Sequence, residues 1–255
     1  MVTVRPPAVA GSFYPAAPDK LDAQLTAMLG AAPAATGPCP KALIVPHAGY
    51  IYSGPIAAAA FARLAPYGDR IERVVLVGPA HRMFVNGLAA TGADRLRTPL
   101  GDVEVEHVDV PANAAAHTRE HSLEVMLPFL QKVAPRAKVI ALAGSRARPD
   151  EVGALLDKLW GGPETVIVIS SDLSHYLPYA EGRALDQRTA QQILALDPTV
   201  EGEHACGSIG INGLLWVARR RGLRPELVDL RSSGDTAGSR DEVVGYGAYA
   251  FYEAA

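Results

Sequence analysis

The chain has 255 residues, of which 49% are hydrophobic and 20% are charged. This composition suits a protein with a substantial core, and the length fits one large domain or at most two small ones. The 24 basic and 27 acidic residues give a formal net charge of −3, which does not indicate a basic face for nucleic acid or anionic lipid. The longest apolar run, near residues 56–62, is far shorter than the roughly 18 residues that span a bilayer. We therefore expect neither a nucleic-acid partner nor a membrane association.

The N-terminal residues lack the charged region and apolar region of a signal peptide, so we expect no secretion signal. Two cysteines, Cys39 and Cys206, are too few for a disulfide framework and form no CxxC spacing. A reducing cytoplasm is therefore the expected location of the protein.

Helical patterns alternate with short apolar runs along most of the chain. The spacing predicts helices over 19–29, 55–64, 123–133, 151–160, 179–196 and 208–221. It predicts strands over 42–45, 73–77, 138–143, 165–169, 227–230 and 246–252. Between residues 87 and 110, alternating stretches flank a TPLGD turn, which is typical of a hairpin.

This order of elements indicates the α/β class, with a mixed sheet covered on both faces. Pro55 suits the first turn of the second predicted helix, because a proline lacks the N–H that later turns require. No internal repeat and no long linker interrupts the pattern. The sequence therefore predicts a single domain over residues 1–255.

Three of the predicted strands run directly into loops that contain histidine. His47 follows the first of these strands, His81 the second, and Asp172 and His175 the third. In open α/β sheets, ligands bind beyond the carboxyl ends of the strands, so we expect these side chains to converge on one rim. A single histidine after a strand is typically a hydrogen-bonded loop residue. Three at equivalent positions favour a transition-metal site, for which imidazole is the commonest ligand.

Other candidates each have a plain structural alternative. Cys206 precedes a predicted helix, whose dipole favours a thiolate, but a free cysteine is more often a small buried apolar residue. His121 and Glu124 lie three apart on a predicted helix and could share a face, or they could belong to a capping arrangement. We expect His107 and His117 to be solvated. No nucleotide-binding glycine motif and no GxSxG nucleophile motif is present, which argues against nucleotide-dependent and α/β-hydrolase chemistry.

Seven segments, in order along nearly the whole chain, form a specific combination: RPPAVAGSFYP, PHAGYIYSG, GPAHR, EHSLEVMLPF, SSDLSHY, ACGSIGI and GDTAGSRDEVVGYGAYAF. With these segments the chain resembles the Memo family, whose bacterial and archaeal members are called AmmeMemoRadiSam system protein B. The resemblance implies a three-layer αβα sandwich related to the catalytic subunit of class III extradiol dioxygenases.

The resemblance also implies a metal centre made by His47, His81 and Cys206, with Asp172 and His175 on its substrate side. The dioxygenases hold iron(II) with two histidines and a carboxylate, whereas here a cysteine stands in the place of the carboxylate. A thiolate is a softer ligand that also suits zinc and copper(I). Iron(II) is the expected metal, and copper and zinc are alternatives. Because one ligand differs, the resemblance in fold does not by itself imply ring-cleavage activity.

The first functional hypothesis is a non-haem iron oxidoreductase acting on a small-molecule or peptide substrate that the sequence does not identify. His175 would serve as general acid and base, and Asp172 would orient that imidazole or a substrate group. Tyr50, His121 and Glu124 would line the substrate pocket. The name of the bacterial family hints at a functional link to a radical-SAM protein.

Two alternatives use the same metal-holding residues, so the sequence does not separate them from the first hypothesis. One is a non-enzymatic module that captures a metal ion or a peptide, acting in signalling or alongside a radical-SAM protein. The other is zinc-dependent hydrolysis, in which three protein ligands leave one position for water. For that reaction Glu124 is the candidate base.

Overall fold

The structure is a computed structural model that describes residues 2–254. The strands within these residues are β1 (Val4–Arg5), β2 (Ala42–Val45), β3 (Arg73–Pro79), β4 (Gly87–Ala90), β5 (Arg95–Thr98), β6 (Gly101–Glu104), β7 (Lys138–Arg146), β8 (Thr165–Ser170), β9 (His175–Leu177), β10 (Arg224–Ser232) and β11 (Val243–Tyr252). The α-helices are α1 (Pro18–Ala31), α2 (Tyr50–Phe61), α3 (Ala114–Thr118), α4 (Leu127–Val133), α5 (Pro149–Lys158), α6 (Tyr179–Leu194) and α7 (Ser208–Arg221). The first and last residues of the predicted domain, 1 and 255, lie outside the described part of the chain.

The main sheet is mixed, as predicted. Its strand order is β10-β11-β2-β8-β3-β7-β4, and the short β9 pairs with β11. The central strands β2, β8, β3 and β7 are parallel, whereas β11, β10 and β4 run antiparallel to their neighbours. The central strands are continuously apolar because both faces of a parallel sheet are buried.

Alternate residues of the central strands face two separate cores. On β2, Leu43 and Val45 pack with α1, α2 and α4, whereas Ala42 and Ile44 pack with α5, α6 and α7. This division follows from the two-residue period of a strand, which sends successive side chains to opposite faces. The result is a helix layer on each side of the sheet, which confirms the three-layer αβα sandwich. None of the helices between residues 2 and 254 is long and apolar enough to cross a membrane.

A second, three-stranded sheet contains the predicted hairpin. Strands β5 and β6 pair antiparallel around a turn at Thr98 and Gly101. Gly101 has φ of 121°, a conformation that side chains with a Cβ rarely adopt. Strand β1 joins β5 in parallel, so the N-terminal segment is fixed to this sheet. Strand β4, which precedes the hairpin, instead completes the main sheet.

Two predicted helices differ from the structure by more than two residues at an end. Helix α2 begins at Tyr50, so Pro55 lies inside it and not in its first turn. The helix tolerates this proline because most of its residues are buried, and burial contributes more than one lost backbone hydrogen bond. The helix predicted over 123–133 is a 3₁₀ turn at Glu124–Met126 followed by α4. Pro128 lies at the start of α4, where a missing N–H costs nothing.

Candidate metal centre

Three donor side chains meet beyond the carboxyl ends of neighbouring strands. His47 follows β2, His81 follows β3, and Cys206 lies just before α7. One ligand atom from each lies within 4.8 Å of the others, and Cys206 Sγ is 3.3 Å from His47 Nε2. Strand β8 lies between β2 and β3, so the loops that follow these strands lie side by side at one edge of the sheet.

The carboxylate of Glu120 fixes the ring of His81. Glu120 is buried, and its Oε1 lies 2.9 Å from His81 Nδ1. The same carboxylate accepts hydrogen bonds from the backbone N–H groups of His81, His121 and Ser122. Burial opposes ionisation of Glu120, but these hydrogen bonds hold the pKa of its carboxyl well below its ordinary value. An ionised acceptor at Nδ1 requires that His81 carries its proton there, which leaves Nε2 as the free donor atom.

A hydroxyl performs the same task for His47. Ser170 Oγ donates its proton to the backbone carbonyl of Ser122 at 2.6 Å. It lies 2.7 Å from His47 Nδ1, and because its proton is already used, it accepts the Nδ1 proton of His47. Burial lowers the pKa of the His47 imidazole well below its ordinary value, so the ring is neutral. Both histidines are thereby left with Nε2 lone pairs free to bind a metal ion.

The third donor is placed by the close contact of α7 with the end of β8. The Gly207 N–H donates to Ser171 Oγ at 2.9 Å, and a Cβ on Gly207 would lie 2.4 Å from the carbonyl oxygen of Ser170. Only glycine permits this approach. The thiol of Cys206 lies 3.3 Å from the unprotonated Nε2 of His47 and 3.7 Å from the carbonyl oxygen of Asp172, and burial raises the pKa of that thiol. A metal ion bound here would displace the thiol proton, as is general for cysteine ligands.

These residues fit a transition metal in their chemistry as well as in their positions. Two neutral imidazoles and one cysteine are ligands that iron, zinc and copper all accept. In each imidazole the second nitrogen is held by a buried partner, the arrangement that metal-binding histidines usually have. The donor set His47, His81 and Cys206 is therefore a candidate metal centre.

A cavity of about 680 Å³ opens beside this centre. Its lining includes His47, His81, His121, Asp172 and His175. The convergence expected for the loops that follow β2, β3 and β8 is thus present, and His121 joins them. A cavity of this volume suits a small organic ligand or part of a larger one.

His121 packs directly on His81 inside the cavity. Their rings are stacked, with centroids 4.7 Å apart and planes 13° from parallel, and the ring of Phe13 lies 4.9 Å from His121 on another side. Burial lowers the pKa of His121 to about 4. His121 therefore presents a third neutral imidazole to the cavity, as the pocket prediction expects.

Asp172 and His175 both line the cavity, but they are not hydrogen-bonded to each other. Asp172 Oδ1 accepts the backbone N–H of His47 at 2.7 Å, and the carboxylate also accepts the N–H of Ala48. Burial of the His175 imidazole lowers its pKa. The expectation that Asp172 orients the His175 imidazole is therefore corrected, whereas the alternative, that it orients a substrate group, stays a prediction. In the structure Asp172 holds the loop that carries His47.

Tyr50 and Glu124, which were expected in the pocket, are not among its lining residues. Tyr50 starts α2 and points into the core, where its hydroxyl donates to the carbonyl of Val125 at 2.7 Å. Glu124 is buried and forms an ion pair with Arg5. Its carboxylate also accepts hydrogen bonds from Tyr14 and from two backbone N–H groups of the N-terminal segment. Glu124 thus anchors that segment to the core.

One further expectation needs correction. His117 is buried, not solvated, and its Nε2 lies 2.9 Å from the carbonyl of Ala89. Burial lowers the pKa of its imidazole, which identifies it as a neutral core histidine. His107 is exposed as expected and lies 3.0 Å from Asp94. Neither residue belongs to the cavity.

The sequence reasoning missed four residues of this region: Glu120, Ser170, Arg82 and Tyr246. Glu120 stands next to His121, but the assumption of a continuous helix directed attention to Glu124, three residues further on. Ser170 is the last residue of β8, but a serine at the end of a strand is not by itself a signal that it contacts a metal-binding histidine. Arg82 and Tyr246 stand in the segments GPAHR and GDTAGSRDEVVGYGAYAF that carry the family resemblance, but the sequence analysis assigned them no role, and the fold places both at the cavity.

Comparison with known proteins identifies relatives over nearly the full length. The family model described as Memo-like protein matches residues 5–250. A MEMO1 family protein of Archaeoglobus fulgidus is 35% identical, with 97% of this chain and 99% of the relative covered. A MEMO1 family protein of Aquifex aeolicus is 33% identical, with 95% of this chain and 97% of the relative covered.

Proposed function

Since the chain belongs to the Memo family, we propose that it is a non-haem iron(II) oxidoreductase whose metal ligands are His47, His81 and Cys206. The observation that carries this proposal is the donor set itself. Three ligand atoms lie within 4.8 Å of one another beside a cavity that two of the three residues line. Three protein ligands leave further positions on iron(II) for substrate or O₂. Iron held in this way supplies one-electron and O₂ chemistry.

His175 is the residue that we assign to proton transfer. It lines the cavity but is not a member of the donor set. Burial lowers the pKa of its imidazole, so the ring is neutral near pH 7 and can accept a proton from a substrate hydroxyl or amine.

The zinc-hydrolase alternative loses its candidate base in this structure. Glu124 is paired with Arg5 outside the cavity lining, and the carboxylate of Glu120 is occupied by four N–H groups. Neither carboxylate is free to take a proton from a water molecule. We also propose a cytoplasmic location, because both cysteines are free and a reducing compartment keeps such thiols available.

Anaerobic purification followed by metal analysis tests the proposal, because air can oxidise both iron and thiolate. We expect iron after reconstitution with iron(II), and O₂ uptake in the presence of ascorbate that exceeds the uptake of the His47→Ala variant. Iron binding without any O₂ uptake would favour the non-enzymatic module. A protein that retains zinc or copper and takes up no iron would overturn the choice of metal.

A further inference from the structure

The segment that carries His175 turns sharply between the end of β8 and the start of α6. Ser174 is buried, whereas Tyr176 is 72% exposed, so the chain leaves the core at this point. Tyr176 has φ of 56°, in the left-handed region that a bulky side chain rarely adopts. A backbone in this conformation persists only where the surrounding contacts hold it. The position of the His175 side chain therefore depends on what holds this turn.

A buried carboxyl on α6 holds one side of the turn. Asp186 is 1% exposed, and its Oδ1 accepts the backbone N–H of Ser174 at 3.0 Å. Within residues 2–254, Oδ2 has no hydrogen-bond partner and no basic side chain pairs with this carboxyl, since Arg183, three residues earlier, lies near Asp235. Burying a carboxyl without a cation opposes folding. Such groups occur where a site needs them more often than where packing alone is at stake.

Two glycines bring α6 close enough for this hydrogen bond. A Cβ on Gly245 of β11 would lie 2.1 Å from Asp186 Oδ2. A Cβ on Gly182 of α6 would lie 2.9 Å from a methyl carbon of Val243. A larger residue at either position would push α6 away from β11. The close packing of the two elements thus serves the contact that the carboxyl makes.

Strand β11 holds the other side of the same segment. The carbonyl of Gly245 accepts the N–H of Leu173, and the N–H of Gly245 donates to the carbonyl of Ser174, each at 2.8 Å. Beyond this point the pairing of β9 with β11 is short, and its register shifts. Ser174 is therefore bonded through its carbonyl to β11 and through its N–H to Asp186, and His175 follows it directly.

We propose that Asp186 is a positioning residue for His175: its hydrogen bond with the Ser174 N–H holds the strained turn and so keeps the imidazole at the cavity. Without that bond the turn can relax at Tyr176, and the relaxation moves the residue before it. This inference refines the proposed function, because it assigns the residue that maintains the proton-transfer group. It rests on the proposed function only for the effect on turnover, since the position of His175 is also a property of the metal-free protein.

Two substitutions at Asp186 separate the hydrogen bond from the bulk of the side chain. Asp186→Leu removes both oxygens and keeps a buried side chain of similar size, whereas Asp186→Asn keeps an oxygen that can accept the Ser174 N–H. In the metal-free wild type, burial holds the pKa of His175 below its ordinary value of 6.5. We expect Asp186→Leu to raise this pKa toward 6.5, because the ring becomes exposed, and Asp186→Asn to leave it unchanged. NMR titration of the full chain with isotope-labelled histidine measures it, and His175→Ala identifies the signal.

The iron-loaded protein gives a second measurement. O₂ uptake should fall about 10–100-fold in Asp186→Leu, because a displacement on the order of 1 Å of a reacting group has an effect of this size. Asp186→Asn should retain most of the uptake. Iron content should be the same in both variants, because Asp186 does not contact the donor set.

Thr189→Val is the matched control. Thr189 is buried on the same helix, and its hydroxyl donates to the carbonyl of Leu185 within that helix. The substitution should change neither the pKa of His175 nor O₂ uptake. Thermal unfolding checks that each variant is folded, and Asp186→Ala replaces Asp186→Leu if the latter is not.

An unchanged pKa of His175 in the folded Asp186→Leu variant would overturn the inference. So would equal changes in Asp186→Leu and Asp186→Asn, or a change of the same size in Thr189→Val. These outcomes are distinct from failure of the proposed function. A wild-type protein that binds no iron or takes up no O₂ loses the oxidoreductase proposal, while the pKa of His175 in the metal-free variants still decides whether Asp186 positions it.

Discussion

Two regions of the cavity differ in how completely their polar groups are hydrogen-bonded. One is the base, which carries the metal-site histidines with Glu120 and Ser170, and the other is the β11 wall, which carries Tyr246. At the base, Glu120 accepts four N–H groups, and Ser170 both accepts from His47 and donates to a carbonyl. At the wall, Tyr246 and Ser233 line the cavity, and Ser233 Oγ accepts the backbone N–H of Val244. The polar groups of the base are thus hydrogen-bonded within the chain, whereas those of the wall face the cavity.

The residues packed behind the β11 wall also include polar groups without hydrogen-bond partners. Asp186 Oδ2, Ser174 Oγ and the Tyr249 hydroxyl are buried without hydrogen-bond partners. A Cβ on Gly245 of β11 would lie 2.1 Å from Asp186 Oδ2, so this carboxyl packs directly on the back of the strand. Positions that hold a metal ion need rigid, fully bonded side chains, and the base has this property while the wall does not.

Removal of the Cys206 thiol should have the largest effect on metal binding. We expect Cys206→Ser to lose nearly all bound metal while the fold is retained, because a hydroxyl is almost isosteric with a thiol but is a far poorer metal ligand. Metal analysis and far-ultraviolet circular dichroism measure the two results. Cys39→Ser, at the other free cysteine, should keep full metal content. Full metal occupancy in Cys206→Ser would exclude the thiolate as a ligand.

His175 tests whether the site turns over or only holds metal. We expect His175→Ala to keep its metal, because this residue is not in the donor set. The rate of O₂ uptake should fall about 10²–10⁴-fold, as is usual when a general acid or base is removed. Metal analysis and O₂ uptake on the same sample give both quantities. Loss of the metal would instead make His175 a fourth ligand and favour the binding-module hypothesis.

Glu120→Gln tests whether the hydrogen bonds of Glu120 hold His81 in position to bind a metal ion. A neutral amide accepts less strongly from the four N–H groups and no longer fixes the His81 proton on Nδ1. We expect metal affinity to fall about 10–100-fold, the usual cost of losing such a partner. Competition with a chromophoric chelator measures the affinity. Glu242→Gln, at an exposed carboxylate of the cavity rim, is the matched control and should bind metal as the wild type does.

The sequence predicted most of the base because its ligands obey a local rule. His47 and His81 follow apolar strands, and the order β2-β8-β3 brings the ends of those strands together. The same rule predicted Asp172 and His175 at the rim. Cys206 required the family resemblance, since a lone cysteine before a helix is no specific signal. The αβα layers followed from the alternation of apolar strands and helices, which burial of both sheet faces imposes.

The wall could not be predicted in this way because its residues are brought together by long-range pairing. Tyr246 reaches the cavity through the antiparallel pairing of β11 with β2, at the far end of the chain. At Glu124 a local spacing led to a wrong prediction, because a long-range contact determines the position of the side chain. Its spacing from His121 suggested a shared helix face, but the helix starts only at Leu127, and the ion pair with Arg5 determines where the carboxylate lies.

The smallest effect is expected behind the wall, at Asp186. Burial raises the pKa of its carboxyl above the ordinary value of 3.8, so the folded protein holds this proton more tightly than the unfolded chain does. Its contribution to stability is therefore fully present below about pH 4 and is lost as the pH rises through the folded-state pKa. Asp186→Asn removes the titration and keeps an oxygen that can accept the N–H of Ser174, which bonds to Asp186 Oδ1 at 3.0 Å.

We expect the free energy of unfolding of the wild type to fall more between pH 4 and pH 8 than that of Asp186→Asn. The difference between the two should be on the order of 1 kcal/mol, the scale of one buried polar group. Urea unfolding at both pH values measures it, and Asp69→Asn, at an exposed carboxylate, controls for the change in net charge. If the wild type and Asp186→Asn lose stability in parallel, Asp186 is not the group responsible for the pH dependence. The difference in hydrogen bonding between the base and the wall would then not extend to the residues behind β11.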